Sequence, residues 1–249
     1  MLPTICILAG GLGRRLGERS ARTPKPLIDV AGEPFLFHQL RLLAEHGAER
    51  VVLCVGYLGE MIEERVGRAR YRITIDYSYD SPQLDGTLGA IRRALPLLGD
   101  RFLVLYGDTY LRLDYRAAVA DWIKSDAPAL MTVLRNDSRW DTSNVVYADR
   151  RVLVYDKQHF TREMHWIDYG LGGLRREALL AADEGERDLA ALYHRLARSG
   201  SLYGFLATER FYEIGTPGRL AETEAFLMAS RREDGREVVE SRHGFDQSG

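Results

Sequence analysis

Cysteine is scarce in this chain, with two in 249 residues. Two thiols cannot build the disulfide framework of a small secreted domain. Cys6 and Cys54 both stand in apolar runs, where a free thiol behaves as a small hydrophobe, so a reduced, cytoplasmic protein is expected. Long apolar stretches are missing too: no run reaches 18 residues, and Met1 leads into the first apolar segment without a charged leader. Neither a membrane span nor a signal peptide is expected. The charge balance is nearly even, 34 basic against 36 acidic residues, which argues against a general nucleic-acid binder. His38, His46, His159, His165, His194 and His243 show no metal-ligand spacing, and no serine or cysteine occupies a nucleophile elbow. With 45% apolar residues, the chain has enough material for one substantial core.

What is present is organised around Leu8-Ala9-Gly10-Gly11-Leu12-Gly13-Arg14-Arg15-Leu16, followed by Pro24-Lys25-Pro26. The apolar run from Leu2 to Leu8 predicts a buried first strand, which the glycines end abruptly. Glycines at a strand end let the backbone approach a ligand and turn its N–H groups onto a polyphosphate. Arg14, Arg15, Arg19, Arg22 and Lys25 add five cations within twelve positions, which calls for an anionic partner. Two familiar phosphate loops do not fit. A P-loop ends in Gly-Lys-Ser/Thr, absent here, and the dinucleotide fingerprint needs a glycine where Leu16 stands and an acid where the second strand closes in Cys54-Val55-Gly56.

Downstream, helical and strand periods alternate. Pro34–His46 predicts a helix that Gly47 ends, 50–55 a Val-rich strand, 58–66 a helix, 71–77 a strand, 84–95 a helix that Pro96 closes, and 101–106 a strand delivering Gly107-Asp108. The expected fold is α/β, with a Rossmann-like, mostly parallel mixed sheet flanked by helices and ligands at its carboxyl edge. The second half breaks the alternation. A strand at 129–134 and a hairpin of 144–147 with 152–155 around Ala148-Asp149-Arg150-Arg151 suggest a smaller lobe. Pro217–Ser230 predicts a helix, and a flexible charged tail is expected over 231–249.

The glycine loop and Pro24-Lys25-Pro26, at this spacing and position, resemble the signature of the sugar-nucleotidyltransferases, or NDP-sugar pyrophosphorylases. The resemblance spans residues 1–230 as one domain, with a nucleotide-binding half (1–125) and a sugar-binding half (126–230). It is nearest the compact heptose-1-phosphate guanylyltransferase and MurNAc-1-phosphate uridylyltransferase type, without a hexapeptide-repeat β-helix. It implies the nucleotide-diphospho-sugar transferase fold, with a nucleoside triphosphate and a sugar 1-phosphate as substrates and Mg²⁺ as cofactor. Neither a membrane nor a nucleic-acid partner is implied, and homo-oligomerisation is an open expectation.

Residue by residue, the resemblance implies that Leu8, Ala9, Gly10, Gly11, Gly13 and Arg14 cradle the nucleotide, while Arg15 and Lys25 act in catalysis. Asp85, Gly86 and Thr87 fall in the segment that meets the base, where Asp85 replaces a usual apolar residue and also reads as a helix N-cap. Asp108, at the tip of a buried strand, is the family's metal-binding aspartate. Glu213, in Phe211-Tyr212-Glu213-Ile214-Gly215, stands where the family has a second aspartate, although a solvated strand-end acid is the alternative.

On the acceptor side, Lys157 follows Asp156 where the family has Glu-Lys, its lysine meeting the sugar phosphate. Asp168 and Gly170 occupy a sugar-contacting turn, with Asp168 accepting either sugar hydroxyls or its own backbone N–H. Asn144, in Ser143-Asn144, replaces part of a more usual Tyr-Gly. The chemistry is consistent with the missing nucleophile, because a sugar 1-phosphate is itself anionic near neutrality (second pKa about 6) and needs no general base. Length and layout favour guanosine with a heptose or mannose phosphate. Two alternatives remain: a phosphocholine cytidylyltransferase relative using Trp166 and Tyr169 as an aromatic box, and a catalytically silent nucleotide-binding regulator.

Overall fold

The computed structural model describes residues 1–11, 16, 22–81, 86–183 and 185–233. In chain order the elements are β1 (Thr4–Leu8), β2 (Asp29–Val30), β3 (Glu33–Pro34), α1 (Phe35–Glu45), β4 (Arg50–Val55), α2 (Gly59–Val66), β5 (Ala69–Arg70) and β6 (Ile73–Tyr79). They continue with α3 (Gly86–Ala94), β7 (Arg101–Tyr106), β8 (Thr109–Tyr110), α4 (Tyr115–Ser125), β9 (Ala129–Arg135), β10 (Val145–Ala148) and β11 (Arg151–Tyr155). Last come β12 (Trp166–Arg175), α5 (Arg176–Leu180), α6 (Leu189–Arg198), β13 (Leu202–Ala207), β14 (Tyr212–Glu213) and α7 (Pro217–Glu233). No helix among the described residues is long and apolar enough to cross a membrane.

Ten strands form one sheet in the order β10-β11-β13-β9-β12-β7-β1-β4-β6-β5. Parallel pairing holds across β7-β1-β4-β6 and between β9 and β13, whereas β12 runs antiparallel to both β7 and β9. The strands of the second half therefore extend the sheet of the first.

Period-two alternation divides the apolar residues between the two faces of the sheet. Ile5, Ile7, Leu53 and Leu105 face a cluster built with α1, α2 and α4, while Cys6, Val52, Phe102 and Val104 face another built with α3 and α6. Each fully buried Ile or Leu side chain contributes about 1.5–3 kcal/mol of transfer free energy. The β strands are thereby held between two helical layers. Asp188 caps α6, accepting the Ala190 N–H, and Leu189, Leu192, Tyr193 and Leu196 form its buried stripe.

Several boundaries differ from the sequence expectation by one to a few residues. The strand predicted at 71–77 begins at Ile73, because Tyr71 and Arg72 take positive φ (53° and 67°) as the two-residue loop of a β5–β6 hairpin. Asp149 and Arg150 do the same between β10 and β11, with φ of 49° and 60°. Residues 231–233, expected in the charged tail, instead close α7, and the rest of that expectation lies outside the described residues. Arg231 is tied down by the Ala31 carbonyl and by Glu33, which also holds Arg41.

Candidate active site

The carboxyl ends of β1, β4 and β7 meet at the start of the glycine loop. The Ala9 N–H donates to the Cys54 carbonyl (2.8 Å) and the Gly107 N–H to the Leu8 carbonyl (2.9 Å), so three strand ends are laced together. A Cβ on Gly10 would lie 2.5 Å from Asp80 Oδ2 and 3.2 Å from the Gly56 nitrogen. Glycine is required there by close approach. Leu8, Ala9, Gly10 and Gly11 thus sit at the predicted edge, while Gly13, Arg14, Arg15 and Asp85 lie outside the described residues.

Gly86, at φ +74°, opens α3 with no room for a side chain, a Cβ falling 2.3 Å from the Arg187 carbonyl oxygen. Thr87 beside it donates its hydroxyl to Asp188 Oδ1 (3.0 Å) and accepts the Leu189 N–H (2.8 Å). That side chain is committed to the start of α6.

Beyond β7, the Gly107-Asp108 turn leads into β8, which pairs antiparallel with β14 so that Thr109 faces Glu213. The Ile214 N–H donates to the Asp108 carbonyl (3.0 Å). This two-stranded ribbon brings the two predicted metal-binding carboxylates together. Lys25, 9% exposed, forms an ion pair and hydrogen bond with Asp108 Oδ2. A Cβ on Gly215 would stand 3.1 Å from Glu213 Oε2 and 3.7 Å from Lys25 Nζ, so the two head groups flank one point.

Glu213 is held from α7. Its backbone carbonyl accepts the Thr223 hydroxyl (2.7 Å), and Arg219 Nε lies 3.5 Å from its Oε1. Burial first, and the neighbouring Asp108 charge second, push its carboxyl above the usual carboxylate range, against the opposing pull of Arg219 and Lys25. The Glu213 side chain is 23% exposed and faces Arg219, so it is only partly solvated. Two hard carboxylates, one of them poorly compensated, fit a divalent cation that completes its shell with substrate oxygens and water, as Mg²⁺ does. Among the described residues no group of three or more His, Cys, Asp or Glu converges, so protein ligands alone do not form a closed cage.

A cleft of about 380 Å³ opens beside these carboxylates. Asp108 and Glu213 line it together with all four predicted acceptor residues, Asn144, Lys157, Asp168 and Gly170. Asp168, with a side chain 8% exposed, accepts the Gly170 N–H (3.1 Å) and the Tyr155 hydroxyl (3.1 Å), and lies 3.7 Å from Lys157 Nζ. The self-bonding turn is thus real, and the same carboxylate also lies within ion-pair distance of the lysine. Asn144 Oδ1 accepts the Asp168 N–H (3.0 Å). Asp156 does not line the cleft but accepts the Gln158 and His159 N–H groups of the turn that carries Lys157.

Trp166 and Tyr169 do not form the aromatic box of the phosphocholine alternative. They are three positions apart on β12 and fall on opposite faces, Trp166 against Tyr147 and Tyr169 against Phe211. Tyr155, Arg219 and Thr223, which hold Asp168 and Glu213, are among the residues of this site that the sequence does not announce. Tyr155 ends the strand before Asp156-Lys157, a position with a weak signal, whereas nothing local marks the other two.

Residues 5–202 match the model of the MobA-like NTP transferase domain. The chain is 31% identical to the CMP-5'-(3-aminopropyl)phosphonate synthase of Streptomyces rubellomurinus over 96% of its own length, and spans only 40% of that relative. It is 32% identical to the D-glycero-alpha-D-manno-heptose 1-phosphate guanylyltransferase of Campylobacter jejuni, covering 85% of this chain and 94% of the relative. The crystal structure of HddC from Yersinia pseudotuberculosis, complexed with GMP-PN, superposes with a TM-score of 0.77 at 25% identity, over 91% of this chain and 100% of that one.

Proposed function

The chain belongs to the MobA-like NTP transferase family, and on that premise we propose that it condenses a nucleoside triphosphate with a sugar 1-phosphate to give an NDP-sugar and pyrophosphate. The observation that carries this reading is that one cleft is lined by Asp108 and Glu213 together with Lys157 and Asp168. An acceptor phosphate bound by Lys157 would face a triphosphate held at the carboxyl edge of the sheet. Its oxygen forms a bond to the α-phosphorus while the bond from that phosphorus to the bridging oxygen breaks, and pyrophosphate leaves with the electron pair.

The acceptor needs no general base, so the protein's task reduces to alignment and charge neutralisation. Lys157, within ion-pair distance of Asp168, orients the acceptor phosphate. Lys25 offers its charge to the triphosphate once it is drawn from Asp108, and Asp108 and Glu213 would hold Mg²⁺, which when bound neutralises phosphate oxygens. Tyr106 and Phe211 wall the cleft.

The relatives' names point to a heptose 1-phosphate in one case and an aminoalkyl phosphonate in another, two acceptors that share an anionic phosphorus oxygen. The test is pyrophosphate release across the nucleoside triphosphates and a panel of sugar 1-phosphates, with 3-aminopropylphosphonate and phosphocholine included. Release with a sugar 1-phosphate is expected. Release with only the phosphonate or phosphocholine refutes the sugar acceptor, and Mg²⁺-dependent nucleotide binding without any release would point to the silent regulator.

A further inference from the structure

Gln39 is a polar residue in the apolar stripe of α1 and is only 2% exposed. Its Nε2 donates to the Tyr106 carbonyl (2.8 Å) and to the Thr109 carbonyl (2.7 Å), the two groups that bracket Gly107-Asp108. Its Oε1 is buried with no hydrogen-bond partner among the described residues. The orientation of the amide follows from these contacts, because turning it over would aim the oxygen at two carbonyl oxygens.

Packing does not explain this residue. A leucine or methionine would suit the stripe and leave no buried oxygen unpaired, which is the costly state for a polar group. Both donors of the amide are spent on one turn. Apart from the Lys25–Asp108 ion pair, the other ties on that turn among the described residues come from within the sheet and from β14: the Gly107 N–H to Leu8, the Ile214 N–H to Asp108, and the Thr109 hydroxyl to Tyr106. Gln39 alone among these reaches the turn from the helical layer, and it grips the turn on both sides of Asp108.

We infer that Gln39 is a positioning residue: its amide clamps the Tyr106–Thr109 turn so that the Asp108 carboxylate is presented to Lys25 and across from Glu213. The inference rests on Asp108 being the cation-holding carboxylate of the proposed reaction. Removing the clamp loosens a turn without opening the core. Loss of the two hydrogen bonds is offset by removal of the orphaned oxygen, and Tyr106 keeps its bond from Thr109.

The test uses Gln39→Met, which fills the space without donors, and Gln39→Leu, a second apolar occupant without donors should the first not fold. Two readouts are taken: hydrogen exchange of residues 107–110 in the metal-free, nucleotide-free protein, and steady-state kinetics of pyrophosphate release. The expected result is exchange faster by about tenfold in that turn and not in β1 or β4. With it, kcat should fall about tenfold or more while the acceptor KM stays within about threefold. Wild-type values in both readouts overturn the inference, and so does a change in only one of them. Asp108→Ala is assayed in parallel. Wild-type turnover in that variant removes the reading of Asp108, whereas a dead Asp108→Ala beside unaltered Gln39 variants removes the clamp alone.

Discussion

Replacing Lys25 with methionine isolates the ion pair at the centre of the site. Exposed pairs are worth about 0.2–1 kcal/mol, and removing one partner of a fully buried pair costs about 3–5 kcal/mol. The Lys25 and Asp108 side chains are 10% and 29% exposed, which places this pair between the two cases, at about 2 kcal/mol. The loss has a specific origin: Asp108 is left facing Glu213 with its nearest compensating cation gone. In a chain of this size about 1 kcal/mol moves the melting temperature by about 2–4 °C, so a fall of about 4–8 °C is expected in the presence of a chelator. Mg²⁺ should restore most of it, because a cation at the two carboxylates takes over the neutralisation. The double variant Lys25→Met/Asp108→Asn should recover stability without metal. The assay is thermal melting of wild type, both single variants and the double variant, with chelator and over an Mg²⁺ titration, read as a double-mutant cycle. A Lys25→Met protein that melts with wild type in chelator, or a double variant no more stable than Lys25→Met, would refute the reasoning.

The remaining expectations concern Glu213 and the acceptor end. Because burial and Asp108 raise the Glu213 pKa above its unfolded value, the ionised form costs stability that is absent below the unfolded carboxylate pKa and fully present above the folded one. Without metal, the wild type should therefore lose stability relative to Glu213→Gln as pH rises through that window, with the variant the more heat-stable at neutral pH; a less stable variant there contradicts the assignment. Its turnover should nonetheless fall by about two orders of magnitude or more, since an amide is a far poorer ligand for a hard cation. Lys157→Ala should raise the acceptor KM by about tenfold or more and leave the nucleotide KM nearly unchanged. Equal effects on both substrates would remove Lys157 from the acceptor phosphate.

Much of this architecture is legible in local patterns. Alternation within β1, β4 and β7 marks which side chains enter each face of the sheet, because a strand turns its side chains with period two whatever it pairs with. The glycines at 10 and 11 mark the abrupt end of β1. Likewise Asn144, Lys157, Asp168 and Gly170 are found in one cleft, as the resemblance to sugar-nucleotidyltransferases implied. Local patterns fail where a non-local force decides. Tyr71-Arg72 carries no glycine or asparagine and reads as strand, yet strand pairing on either side places both residues in positive φ. Thr87 looks like a ligand contact and is taken by Asp188 and Leu189.

The sequence by itself determined the α/β layering, the glycine-ended first strand and the types of charged group available to the reaction. Tertiary structure alone decided which of those charges meet. Lys25 and Asp108 are 83 positions apart, and Asp108 reaches Glu213 only because β8 pairs with β14. Gln39 shows the same limit from the opposite direction, since helical period places it among core residues but cannot say that its amide will meet the carbonyls of a turn near position 108. Burial follows from a side chain's own polarity and the period of its element. A hydrogen bond or an ion pair depends on the position of a second group, and that position exists only once the sheet order and register are set.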